Sequence, residues 1–98
     1  MAIRVERRRM DLAIVGTGHV GLVTGACLAE MGNNVICVDN DLEKVESLQR
    51  GRIPIYEPKL EELVLANQKA GRIEFIDSIA QAVDKAEVIF IETIRADG

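Results

Sequence analysis

Residues 11–39 read DLAIVGTGHVGLVTGACLAEMGNNVICVD, and the order of apolar runs and glycines in this stretch decides the fold. Asp11 to Val15 is a short, continuous apolar run stopped by Gly16, which by length and Ile/Val content is a buried strand rather than a helix. After the turn GTGHVG, Val20, Val23, Cys27 and Met31 recur at spacings of three and four, which puts them on one helical face. Gly32 then supplies the C-terminal stop. Val35 to Val38 is a second continuous apolar run, and continuous rather than alternating apolar character implies burial on both faces, as in a parallel sheet.

Working outward, Asn40 with Glu43 resembles a capping box, and Leu42, Val45 and Leu48 line one face of a short second helix that Gly51 closes. The prolines of Ile53 to Pro58 (IPIYEP) remove amide donors and make that segment a stiff loop. Pro58 can open a third helix, with Leu60, Leu63, Val64 and Asn67 on one face until Gly71. Ile73 to Ile76 is a third strand, Ser78 caps a helix carrying Ile79, Ala82, Val83 and Ala86, and Val88 to Ile91 is a fourth strand. Strands alternating with helices at this spacing pair in parallel, and right-handed crossovers give the strand order 3-2-1-4. The expected architecture is therefore α/β: a partial, Rossmann-like doubly wound parallel sheet over residues 10–98, about half of a full dinucleotide fold. Residues 1–9 are expected to be a frayed extension.

Bulk properties exclude several function classes. A net charge of -4 and a pI near 5.0 give no electrostatic reason to bind nucleic acid. The basic run RVERRR at residues 4–9 is broken by Glu6 and has no apolar segment behind it, so it is not expected to act as an export signal. No apolar stretch approaches the roughly 20 residues that span a bilayer. The expectation is a cytoplasmic protein without a membrane partner. Cys27 and Cys37 each sit inside an apolar periodic segment with no Cys or His at metal-ligand spacing, so both are expected to be small buried hydrophobes and no metal site is expected.

The turn Gly16-Thr-Gly18-His-Val-Gly21 carries the chemistry. Gly16 permits a tight turn, Gly18 keeps side chains away from an approaching pyrophosphate, and Gly21 lets the helix come close to the strand. The helix N-terminus, where His19 and Val20 lie, presents amides and the positive end of its dipole to phosphate. Asp39 ends the second strand about 18 residues after Gly21, close to the spacing of about 20 at which a carboxylate accepts from adenosine ribose hydroxyls. It would repel a 2′-phosphate, and Asn40 and Asp41 offer no arginine to offset that, so NAD is expected over NADP. The blander readings are a plain strand-to-helix connection, a helix cap at Asp39, and an incidental, partly exposed His19.

VGTGHVGLVTGACLAEMGNNVICVDND, then IPIYEP, then VIFI, resembles the N-terminal region of the UDP-glucose/GDP-mannose dehydrogenase family from Met10 to about Ile91. The resemblance implies NAD-dependent oxidation of a sugar C6 alcohol to a carboxylate in two hydride steps, through a cysteine-bound intermediate. It implies Gly16, Gly18 and Gly21 at the pyrophosphate, Asp39 at the adenosine ribose, and Lys44 near that ribose, although Lys44 also reads as a solvated helix charge. Tyr56 and its neighbouring prolines either pack the loop or touch the cofactor. Lys59 departs from the family, where glycine usually follows EP.

The family also continues from such a fourth strand into a GTP-type turn whose threonine contacts NAD, whereas this chain reads Glu92-Thr93-Ile94-Arg95-Ala96-Asp97-Gly98. Either that turn is lost or Thr93 is its displaced threonine. The cysteine, lysine and asparagine that the resemblance assigns to catalysis have no counterpart in these 98 residues. The expectation is thus a fragment that binds NAD without catalysing, with the sugar nucleotide a partner of the full-length parent only. A non-catalytic nucleotide-sensing module and an inactive truncated scaffold are the alternatives. The open edge of the fourth strand leads to an expectation of self-association, as a homodimer or another assembly of copies.

Overall fold

The computed structural model describes residues 9–54 and 58–92. Eight elements follow in the order β1 (Asp11–Val15), α1 (His19–Glu30), β2 (Asn34–Val38), α2 (Leu42–Gln49), α3 (Pro58–Lys69), β3 (Ile73–Ile76), α4 (Ile79–Lys85) and β4 (Val88–Ile91). The strands form one parallel sheet in the order β3-β2-β1-β4. Each expected element is present and the expected order holds. The order reverses at β1, so a crevice opens where the C-terminal ends of β1, β2 and β4 meet, which is where open α/β sheets hold ligands.

Strand alternation divides the core between the two sheet faces. Ile14, Val35, Cys37, Ile73 and Phe75 pack under α1, α2 and α3 against Leu22, Ala26, Val45, Leu48, Leu60 and Val64. Ala13, Ile36 and Val38 face the other way and meet α4 through Ala82. The first face is thickly covered and the second thinly. β4 is covered least, with Val88, Ile89 and Phe90 37–41% exposed and Ile91 72% exposed.

The structure corrects the expected face of α1. Its fully buried residues are Gly21, Leu22, Gly25, Ala26 and Ala29; of the expected face Val23 packs partly buried against the core, while Val20, Cys27 and Met31 are exposed. The helix lies so close to the sheet that its fully buried positions are small residues and one leucine, with Val23 and Leu28 packing at the sides: a Cβ added to Gly25 would stand 3.0 Å from the Cys37 sulfur. Proximity, not side-chain hydrophobicity, selects the inward face. Cys27 is therefore not the buried hydrophobe expected, whereas Cys37 is, and burial pushes its thiol pKa up to about 12.

Three smaller corrections concern α2 and α4. Asp41, not Asn40, caps α2, its carboxylate accepting from the Lys44 N–H at 3.2 Å. Leu42 is exposed, leaving Val45 and Leu48 as the buried pair. Ser78 caps α4 as expected, accepting from the Gln81 N–H at 3.3 Å, yet Ile79 and Val83 stay half-exposed and only Ala82 is buried. α3 begins at Pro58 and buries Leu60, Val64 and Asn67 as its spacing predicts. Ile55, Tyr56 and Glu57, the heart of the proline loop, lie outside the described residues.

Candidate functional site

The turn between β1 and α1 is built by glycines at two positions where nothing else fits. Gly16 has φ +105°, a conformation L side chains rarely adopt, and its N–H donates to the Val38 carbonyl at 2.7 Å, which ties the turn to the end of β2. A Cβ on Gly21 would overlap the Gly16 carbonyl oxygen, so the start of α1 can approach the end of β1 only because position 21 is glycine. Gly18 is the N-cap of α1 and has no side chain with which to cap it.

Asp39 leaves the end of β2 and turns its carboxylate into this loop. Oδ2 accepts from the Thr17 hydroxyl at 2.6 Å and the Thr17 N–H at 3.1 Å, and Oδ1 accepts from the Asp41 N–H at 3.0 Å. Lys44 Nζ stands 3.7 Å from Oδ2. Burial raises the carboxyl's pKa, but the Thr17 hydroxyl, the Asp41 and Thr17 amides and the Lys44 charge together outweigh it and hold Asp39 below its ordinary 3.8. Asp39 is thus ionised at neutral pH and fixed in direction. Hydrogen bonds to a charged group are worth about 1.5–3 kcal/mol, against about 0–1 for an exposed ion pair, so Thr17 positions this carboxylate more than Lys44 does.

The third contribution comes from the end of β4. Glu92 continues the ladder past Ile91, its N–H donating to the Val15 carbonyl at 2.9 Å, and its side chain reaches into the glycine turn. There Oε2 accepts from the Gly21 N–H at 3.0 Å and the Gly18 N–H at 3.2 Å. Glu92 supplies from across the sheet the cap that Gly18 cannot.

The structure therefore brings Gly16, Gly18, Gly21, Asp39 and Lys44 together at the crevice. His19 and Val20 are the first residues of α1 and are exposed. Thr93 lies outside the described residues. Sequence reading missed Thr17, an interior position of the glycine motif, and assigned Glu92 no role. A shallow cleft of about 230 Å³, lined by Val15, Gly16, Val38, Asp39, Asn40 and Ile79, adjoins the turn. A larger one of about 390 Å³ opens at the opposite end of the strands, between Asp11, Asn34, Glu74 and Lys85, and includes no part of the turn.

Residues 10–93 match the profile of the UDP-glucose/GDP-mannose dehydrogenase family, NAD binding domain. The chain belongs to that family. It is 51% identical over 82 residues to UDP-glucose 6-dehydrogenase of Pseudomonas aeruginosa, covering 84% of this chain and 18% of that enzyme. Among solved structures it resembles a UDP-glucose dehydrogenase from Pyrobaculum islandicum, with TM-score 0.84 and 32% identity over 95% of this chain and 22% of that one. It also resembles a GDP-mannose dehydrogenase from Pseudomonas aeruginosa, with TM-score 0.82 and 34% identity over 91% and 21%. The chain spans about a fifth of the length of these family members.

The domain so matched takes NAD, and the donor set here fits the dinucleotide's phosphates. Amides of the α1 N-terminus already converge on an anion, the Glu92 carboxylate, and the glycines at 18 and 21 put no side chain of their own beside them.

Proposed function

We propose that residues 10–98 form the adenosine-side half of an NAD site. Gly16, Gly18 and Gly21 shape the diphosphate turn, His19 and Val20 offer main-chain amides at the helix start, and Asp39 accepts from adenosine ribose hydroxyls with Lys44 beside it. Thr93 is the candidate contact toward the nicotinamide. The observation that carries this reading is the Asp39 carboxylate fixed by Thr17 against the glycine turn, at the point where the strand order reverses. A carboxylate offers about four acceptor positions, and the protein donors take three, which leaves capacity for a ribose hydroxyl. The same charge opposes a 2′-phosphate, favouring NAD over NADP.

In the whole protein NAD accepts the hydride released when a sugar-nucleotide alcohol is oxidised. Likeness to the UDP-glucose 6-dehydrogenases supports a UDP-hexose as that substrate, carried from C6 alcohol to carboxylate with two NAD. Neither thiol of this stretch suits a covalent step, because Cys37 is buried with a raised pKa and Cys27 faces outward from α1. Both are unbridged, in keeping with a reducing, cytoplasmic setting.

Calorimetric titration with NAD and ADP-ribose tests the site. Asp39→Ala is expected to weaken both at least tenfold and Asp39→Asn, which keeps an acceptor, by less. Binding of Asp39→Ala equal to that of the parent chain refutes the reading. A binding-only role is the second reading, favoured by the protein carboxylate that already fills the turn. NADH production by the full-length protein with UDP-glucose decides against it.

The exposed apolar edge of β4 supports self-association of the isolated stretch, as a homodimer pairing these edges. A constant monomer mass in sedimentation at rising concentration refutes that.

A further inference from the structure

A helix start leaves four main-chain N–H groups without intrahelical acceptors. In α1 two of them, from Gly18 and Gly21, are given to Oε2 of Glu92. These amides and the positive end of the helix dipole are what the turn has to offer a phosphate. The carboxylate is not a chance visitor. The Glu92 N–H is bonded to the Val15 carbonyl, so the backbone of residue 92 is fixed by the β1–β4 register and its side chain begins beside the turn. It lies in the room left by the missing side chain of residue 18, since a Cβ there would stand 2.8 Å from Oε1. That is the room through which a diphosphate would approach the backbone.

We propose that Glu92 is an intramolecular competitor for the dinucleotide diphosphate, so that this chain holds NAD more weakly than its glycine turn alone would allow. The proposal rests on the NAD reading above. A diphosphate must either displace the carboxylate from the Gly18 and Gly21 amides or settle beside a like charge, and either route lowers affinity. Because Glu92 also caps α1, its removal acts with opposite signs on two observables: the fold loses a cap while the site gains its amides. A purely structural glutamate lacks that signature, since its loss lowers stability and affinity together.

The experiment titrates ADP-ribose and NAD into the parent chain, Glu92→Ala and Glu92→Gln, with a urea melt of each. Glu92→Ala is expected to bind roughly tenfold tighter, the equivalent of about 1.4 kcal/mol, while its melt moves to lower urea. Glu92→Gln keeps the shape and an acceptor oxygen but not the charge, and is expected to gain less. Should Glu92→Ala fail to fold, the near-isosteric Glu92→Gln decides alone. A parent chain that binds, with folded variants that bind no tighter, overturns the proposal and leaves the NAD reading standing. No binding by any of the three overturns the NAD reading and the proposal with it.

Discussion

Gly21→Ala asks whether the turn is as tight as its geometry indicates. The added methyl would overlap the Gly16 carbonyl oxygen and press on Glu92 Oε2. The glutamate can swing away, but the carbonyl belongs to a residue held at φ +105° whose N–H is bonded to Val38. Relief then requires moving the start of α1 off the end of β1. Overpacking of this kind costs about 1–3 kcal/mol and occasionally more, and a backbone obstacle argues for the upper end. Replacing glycine by alanine inside a helix returns up to about 1 kcal/mol. The expected net loss is therefore about 2 kcal/mol, which urea denaturation followed by circular dichroism reads as a midpoint lowered by about 1 M.

Two further glycines calibrate the number. Gly32→Ala has open space around its Cβ but φ +103°, so it carries backbone strain alone, about 1–2 kcal/mol. Gly25→Ala meets the Cys37 sulfur at 3.0 Å and otherwise makes ordinary contacts, so its helix gain nearly offsets its crowding. Gly21→Ala no more harmful than Gly25→Ala refutes the reasoning. So does complete rescue of Gly21→Ala by Glu92→Ala, because the Gly16 carbonyl remains in place.

Two other outcomes follow from the same site and the same helix. Thr17→Val removes the hydroxyl donor to Asp39 and is expected to cost about 1.5–3 kcal/mol near pH 7. Asp39 has a lowered folded-state pKa, so its stabilisation is complete above the ordinary carboxylate value and is lost as pH falls through the folded one. The acid transition of Thr17→Val should therefore begin at higher pH than that of the parent, and coincident urea midpoints across roughly pH 2–5 refute this. With a thiol reagent at pH 8, Cys27 should react in the native state and Cys37 only after denaturation. Equal rates for the two count against the closely packed underside of α1.

What sequence reveals here depends on the range of the interaction. Strand and helix identities follow from periodicity, and every element was legible. The inward face of α1 was legible only at Val23, because Val20 and Met31 outrank Ala26 and Ala29 in hydrophobicity while the close approach of helix to sheet turns the smaller pair inward beside Leu22. The cap of α2 was missed by one residue, since Asn40 and Asp41 are both competent and only the observed backbone, φ -87° and ψ 103° at Asp41, selects between them. Gly16, Gly18, Gly21 and Asp39 were legible because their spacing is local to one strand-helix-strand unit.

Thr17 and Glu92 belong to another class. Thr17 earns its role from the hand of the turn, which aims both its N–H and its hydroxyl at Asp39. Glu92 is far from Gly18 and Gly21 in sequence and meets them only because the strand order seats β4 beside β1 with Ile91 opposite Val15. In the chain it reads only as a charged residue that ends an apolar run. In the sheet it is the residue whose side chain enters the glycine turn, so its chemistry bears directly on phosphate binding. A small side chain there would leave both amides to the ligand. A glutamate brings a ligand of its own, and the affinity of a glycine motif is then not set by the glycines alone.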